Sequence, residues 1–203
     1  MNLDEMNPDD MIAAARALIA QRRGGRERVF VAIDGCAGAG KSTLAEGIRD
    51  SIGSVSIVRT DYFFRPLNEY PARTLTPAKA YELYFPWERM RDEAIEPLRR
   101  GETARYQRYD WNTDALGVWA IVEPHPVIIV EGVYSSRPEL RELLDAIIFI
   151  EAPREVRRRR MLARAYLDND PDNDWMMPWM AAEDWYLEHV RPQESADLVL
   201  KSV

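Results

Sequence analysis

Gly35-Cys36-Ala37-Gly38-Ala39-Gly40-Lys41-Ser42 satisfies the pattern G-x-x-x-x-G-K-[ST] at every constrained position. Each constraint has a chemical reason. Glycines let successive backbone N–H groups turn inward around phosphate oxygens. A lysine in the Lys41 position reaches the β- and γ-phosphates, and a hydroxyl in the Ser42 position can sit on a metal ion. The helix that follows directs its positive N-terminal end at the same anion. The implied ligands are ATP and Mg2+, held by Gly35, Cys36, Ala37, Gly38, Ala39, Gly40, Lys41, Ser42 and Thr43. The flanks agree with the motif. Val29-Phe30-Val31-Ala32-Ile33 is a short apolar run of the kind found in buried parallel strands, and Leu44, Ala45 and Ile48 recur at helical spacing.

Working outward, residues 55–58, 127–130, 147–150 and 198–200 are further short apolar runs that predict strands. Between them lie helical patterns at 140–144, 154–167 and 179–190, and at 78–100, broken by Pro86 and weakened at Pro97. Met11, Ile12, Ala15, Leu18 and Ile19 mark the apolar face of an N-terminal helix ending near Gly24. Residues 66–77 read as loop, and 103–109 with 118–122 as a β-hairpin insertion. Strands alternating with helices predict an α/β fold of the P-loop NTPase kind. Its sheet is mostly parallel, with helices on both faces, and residues 1–203 form a single domain with a small lid at about 154–178. In such sheets ligands bind at the carboxyl ends of the strands. The glycine loop, Asp61 and Glu131 all fall there.

The chain has 203 residues, 46% of them hydrophobic, and a net charge of −7. That charge argues against a general nucleic-acid or membrane-surface binder. Cys36 is the single cysteine, which excludes an intrachain disulfide and a cysteine-based zinc site. No apolar run reaches the length of a membrane span, and residues 1–10 are polar and acidic, unlike a secretory signal. The expected location is the cytoplasm.

Several side chains are candidates for chemistry. Asp61, just beyond a strand, can take the proton of an attacking hydroxyl or help hold magnesium. Glu131 closes the run Val-Ile-Ile-Val, where a second acid holds the metal directly or through water. Arg157, Arg160 and Arg164 share one helical face that can close over a triphosphate and neutralise developing charge. Tyr106, Tyr109, Asp110, Trp111 and Trp119 suit either a wall for a flat ligand or a hydrophobic core. Trp175, Trp179 and Trp185, with Met176, Met177 and Met180, read as packing or a flap. Cys36 reads as a small side chain that fits the loop. His125 and His189 have no partner at metal-ligand spacing.

Together these residues resemble the uridine kinase family, within the uridine kinase and phosphoribulokinase group. Ile33-Asp34-Gly35 through Gly40-Lys41-Ser42-Thr43 is similar to its loop, Thr60-Asp61-Tyr62-Phe63 to its D-x-F-Y segment, and Val130-Glu131-Gly132-Val133 to its strand ending in E-G. Tyr109-Asp110-Trp111 is similar to its Y-D-F stretch, and Ala196-Asp197-Leu198-Val199 to its closing strand. The resemblance implies Asp61 as catalytic base, Tyr109 and Trp111 beside the acceptor, and a lid carrying Arg157 to Arg164. It is compatible with a homo-oligomer. Two positions depart from the family. Asp114 stands where nucleoside-specific members carry a base-reading histidine, and Pro86 where a ribose-binding aspartate lies. The implied activity is ATP-dependent phosphorylation of a small hydroxyl-bearing substrate, either nucleoside-like or a sugar or vitamin alcohol. The contrasting reading is a catalytically weak ATP-binding regulator. The N-K-x-D motif of GTPases and the L-S-G-G-Q signature of ABC-type ATPases are absent.

Overall fold

The computed structural model describes residues 6–66, 75–163 and 176–202. Strands β1 (Val29–Asp34), β2 (Val55–Arg59), β5 (Val127–Glu131), β6 (Ala146–Glu151) and β7 (Leu198–Lys201) form one parallel sheet in the order β2-β5-β1-β6-β7. Every residue of β1 and β5 is buried, because helices cover both faces. On one face Val29, Val31 and Ile33 pack with α1 (Pro8–Arg23) and α2 (Lys41–Ile52). On the other, Phe30, Ile128 and Val130 meet Met90, Ile95 and Leu98. The helix α1 starts where Asn7 Oδ1 accepts the Asp10 N–H at 3.0 Å, and it stops at Gly24.

The helical pattern expected across 78–100 resolves into α3 (Pro77–Tyr84), α4 (Trp87–Met90), a π-helical turn (Arg91–Ile95) and α5 (Glu96–Arg99). The break falls at Phe85-Pro86. The wide turn lies just ahead of Pro97, whose ring would clash with the carbonyl four residues back in a regular helix. The hairpin is present as β3 (Ala104–Asp110) and β4 (Ala115–Val122), with a register shift between Gln107 and Tyr109. Its second arm begins at Ala115, earlier than the expected 118. A 3-10 turn (Pro138–Leu143) replaces the helix expected at 140–144.

A third, aromatic-rich cluster caps the carboxyl end of the sheet. It contains Phe64, Tyr81, Tyr84, Phe85, Tyr109 and Tyr134, closed by Trp179, Met180 and Tyr186 of α7 (Met176–His189). The region expected to form the lid includes α6 (Arg154–Leu162) and the start of α7. Residues 164–175, with Arg164 and Trp175, lie outside the described residues, as do 67–74 of the expected loop. Among the described residues no helix is long and apolar enough to cross a membrane.

Candidate active site

The loop Gly35–Ser42 joins the centre of the sheet to α2. Gly35, Gly38 and Gly40 have φ of 145°, 79° and 105°, a region that side chains disfavour. Space forbids a side chain at two of them as well. A Cβ on Gly35 would lie 2.6 Å from the Ile150 carbonyl oxygen, and one on Gly38 would lie 2.7 Å from that of Arg157. Gly40 is the N-cap of α2 and supplies no side-chain cap. The first N–H groups of that helix are therefore left for another acceptor, which fits a phosphate. Lys41 is buried and its Nζ donates to the Cys36 carbonyl at 3.0 Å.

Glu131 ends β5 beside this loop. Its Oε1 accepts the Ser42 hydroxyl at 2.9 Å and its Oε2 accepts Arg59 Nη1 at 3.1 Å. Arg59 also pairs with Glu46 on α2. The hydroxyl and carboxylate expected to hold magnesium are thus in contact, and oxygen donors of this kind suit a hard cation shared with phosphates.

Asp61 is exposed, in a 3-10 turn (Thr60–Phe63) just past β2. Thr60 is buried against Gly132, whose φ is 142° and where a Cβ would collide with Thr60 Oγ1. That close approach locks the ends of β2 and β5 together. Phe64, whose N–H meets the Asp61 carbonyl at 3.5 Å, then sets its ring 4.6 Å from that of Trp111 and 5.1 Å from that of Tyr109, tilted against both. The Tyr109 hydroxyl donates to Asp114 Oδ1 at 2.7 Å. Burial, reinforced by Asp114, pushes the Tyr109 phenol well above its ordinary range, so it stays a donor.

The aromatic residues between the two halves divide between core and surface. Tyr106 is core, 4.5 Å from Phe63, whereas Trp111 is 54% exposed and Trp119 59% exposed. Trp111 is therefore free to meet a ligand on one face, while Trp119 lies on the outside of the hairpin, paired with Gln107. Trp179, Met176 and Met180 are packing, and Met177 is exposed.

The arginines expected on one face of α6 go different ways. Arg157 shares the buried side of α6 with Met161 and turns inward, where its Nη1 donates to Glu183 Oε2 at 2.7 Å. Arg160 Nη1 reaches the Gly38 carbonyl at 3.1 Å and Ser202 Oγ at 2.9 Å, which places it directly on the loop.

Asp34 and Glu183 were not singled out from the sequence for any role at the site. Asp34 closes β1 and accepts the Gly35 N–H at 2.6 Å, the Tyr134 and Ser136 N–H groups, the Ser136 hydroxyl and the Tyr186 hydroxyl. It ties the loop's first turn to α7. Glu183 does the same two residues further along, accepting the Ala37 N–H at 2.6 Å. The available signal was a carboxylate at helical spacing between Trp179 and Tyr186, on an apolar face.

Cys36 is buried, and burial, reinforced by Glu183, pushes its thiol well above the ordinary value. Little thiolate forms at neutral pH, because both effects disfavour the anion. Iodoacetamide at pH 7.5 is expected to leave native Cys36 unlabelled over a time that fully alkylates the unfolded chain, as read by intact mass. Equal labelling rates would contradict this burial.

On the loop's other side, Cys36, Ile150, Ala152, Leu187, Gln193 and Ser202 border a mainly apolar cavity of about 380 Å³.

A parallel sheet with a glycine loop at its central strand, a lysine within the loop and acids at the neighbouring strand ends defines a P-loop phosphotransferase. The pattern of the "Phosphoribulokinase / Uridine kinase family" matches residues 30–203, and the chain belongs to that family. A uridine kinase of Halobacterium salinarum is 28% identical over 166 residues, covering 80% of this chain and 71% of the relative. One from Geobacillus kaustophilus is 27% identical over 176 residues, covering 84% and 80%. A solved structure from Silicibacter sp. TM1040, provisionally assigned as a fructose transport system kinase, is similar with a TM-score of 0.69. It is 25% identical, over 98% of this chain and 100% of that one. A possible uridine kinase from Bacillus stearothermophilus shares the fold at TM-score 0.68 and 22% identity, over 92% and 99%. The protein is an ATP-dependent kinase of a small substrate.

Proposed function

We propose that this kinase transfers the γ-phosphoryl group of ATP to a hydroxyl of a nucleoside-like acceptor. The observation that carries the reading is the line-up of three neighbouring strand ends: the loop after β1, Glu131 closing β5, and Asp61 just past β2. At ordinary strand spacing the end of β2 lies about 10 Å from that of β1, which leaves room for a phosphoryl group and an acceptor between them. Lys41 and the start of α2 hold the phosphates, and the cavity beside Cys36 takes the nucleotide's base. Ser42 and Glu131 hold Mg2+, which when bound neutralises charge on the phosphate oxygens. Asp61 orients the acceptor hydroxyl and takes its proton. Trp111, exposed and backed by the buried rings of Phe64 and Tyr109, offers a flat ring a stacking surface. Arg160, already on the loop, supplies positive charge where negative charge develops. Arg157 supports the loop from behind.

A sugar acceptor is the second reading. It is favoured by Asp114, a carboxylate at the position of the family's base-reading histidine, held by Tyr109. The test is ADP release from magnesium-ATP with nucleosides, sugars and vitamin alcohols, against a control without acceptor. Stimulation by nucleosides is expected. Stimulation by sugars alone would replace the first reading with the second, and no stimulation by any class would overturn both.

A further inference from the structure

Glu183 is fully buried on α7, yet its carboxylate is spent on three donors from three separate places. Oε1 accepts the Ala37 N–H at 2.6 Å and Trp179 Nε1 at 2.9 Å, and Oε2 accepts Arg157 Nη1 from α6 at 2.7 Å. The Ala37 N–H belongs to the same peptide unit as the Cys36 carbonyl. That carbonyl accepts Lys41 Nζ at 3.0 Å. A trans peptide points its N–H and C=O in opposite directions. Holding the N–H toward Glu183 therefore holds the carbonyl toward Lys41. The chain of contacts runs from Arg157 through Glu183 and one peptide to the ammonium of the loop lysine.

An ion pair buried only for stability would be replaceable by apolar side chains of similar size. The contact with Ala37 is not replaceable in that way. Without an acceptor the partly buried N–H is left unpaired, and the peptide is held only from its carbonyl side, by the Ala39 N–H and Lys41 Nζ. We propose that Glu183 is a positioning residue of the phosphate loop. It sets the orientation of the Cys36–Ala37 peptide and, through it, the place of Lys41, and it joins α6 and α7 to the loop. This rests on the reading of Gly35–Ser42 as the ATP site, but not on the identity of the acceptor.

The test compares two double variants, Arg157→Met with Glu183→Gln and Arg157→Met with Glu183→Met. Both lack the ion pair. Only the first keeps a carbonyl oxygen for the Ala37 N–H. Titrated with magnesium-ATP in a calorimeter, with no acceptor present, the glutamine variant is expected to bind about 10-fold tighter than the methionine variant. In a Lys41→Ala background this difference is expected to shrink, because the two sites act through one peptide. Equal affinities in the first pair, or an undiminished difference without Lys41, would overturn the proposal. A second measurement uses the unaltered protein and holds even if a variant does not fold. Hydrogen exchange at the Ala37 amide is expected to be slow both with and without magnesium-ADP. Fast exchange in the free protein would overturn the assignment. Failure of every acceptor in the ADP-release assay would leave these binding results standing, so the two readings fail separately.

Discussion

Replacing Lys41 with alanine is expected to lower kcat/KM for ATP by about 10²–10³-fold while the protein stays folded. The size follows from removing one preorganised cationic donor aimed at transferring phosphate. Retention of the fold follows from what Lys41 touches. It is buried, but its ammonium donates to the Cys36 carbonyl, which also accepts the Ala39 N–H at 3.1 Å. Truncation therefore leaves that carbonyl still paired, and the stability cost is about 1.5–3 kcal/mol, the worth of a hydrogen bond from a charged group. For a chain of this size that is a fall in Tm of about 3–12 °C. Steady-state kinetics and a thermal melt check the two halves separately. Full activity with tight ATP binding would refute the catalytic reading of the loop. A melt lowered by tens of degrees would show that the lysine serves packing instead.

Lys41 was legible in the sequence because the loop's chemistry is local. The glycines, the lysine and the hydroxyl must stand at fixed spacing along one turn, so the pattern survives in one dimension. The strand before the loop and the strand ending at Glu131 were legible for a related reason. Strands covered on both faces read as unbroken apolar runs. What could not be read is the support behind the loop. Glu183 lies 146 residues from Ala37 and is brought there by the packing of α7 on the aromatic cluster. Nothing near either residue announces the partner. Arg157 shows the same limit from the other side. Helical spacing groups it with Arg160, but which way the face turns depends on Met161 and on a carboxylate from another helix. The wall at Phe64 and Trp111 has an intermediate status. Its aromatic content was visible, whereas the split between buried Tyr106 and exposed Trp111 depended on the hairpin's bulge and docking.

Changing Asp61 to asparagine is expected to lower kcat by about 10²–10⁴-fold, the usual worth of a positioned general base. The amide has nearly the same shape and can still orient a hydroxyl, but it cannot take a proton. Binding of magnesium-ATP without acceptor should change little, since Asp61 follows β2 and the loop follows β1, with β5 between them. Folding should also be spared. Asp61 is exposed, and the turn that carries it is pinned by buried Thr60 and Phe63. The informative result is therefore a split: kcat falls, ATP affinity and melting temperature hold. Once the panel has named the acceptor, the same split separates chemistry from acceptor binding. A base that acts only in the transition state lowers kcat with acceptor KM nearly unchanged, whereas a residue that merely grips the acceptor raises KM and leaves kcat intact. An unchanged kcat would demote Asp61 to a residue of the turn. The proton acceptor would then have to be sought elsewhere along the acceptor wall, with the Asp114 carboxylate that receives the Tyr109 hydroxyl as the next group to change.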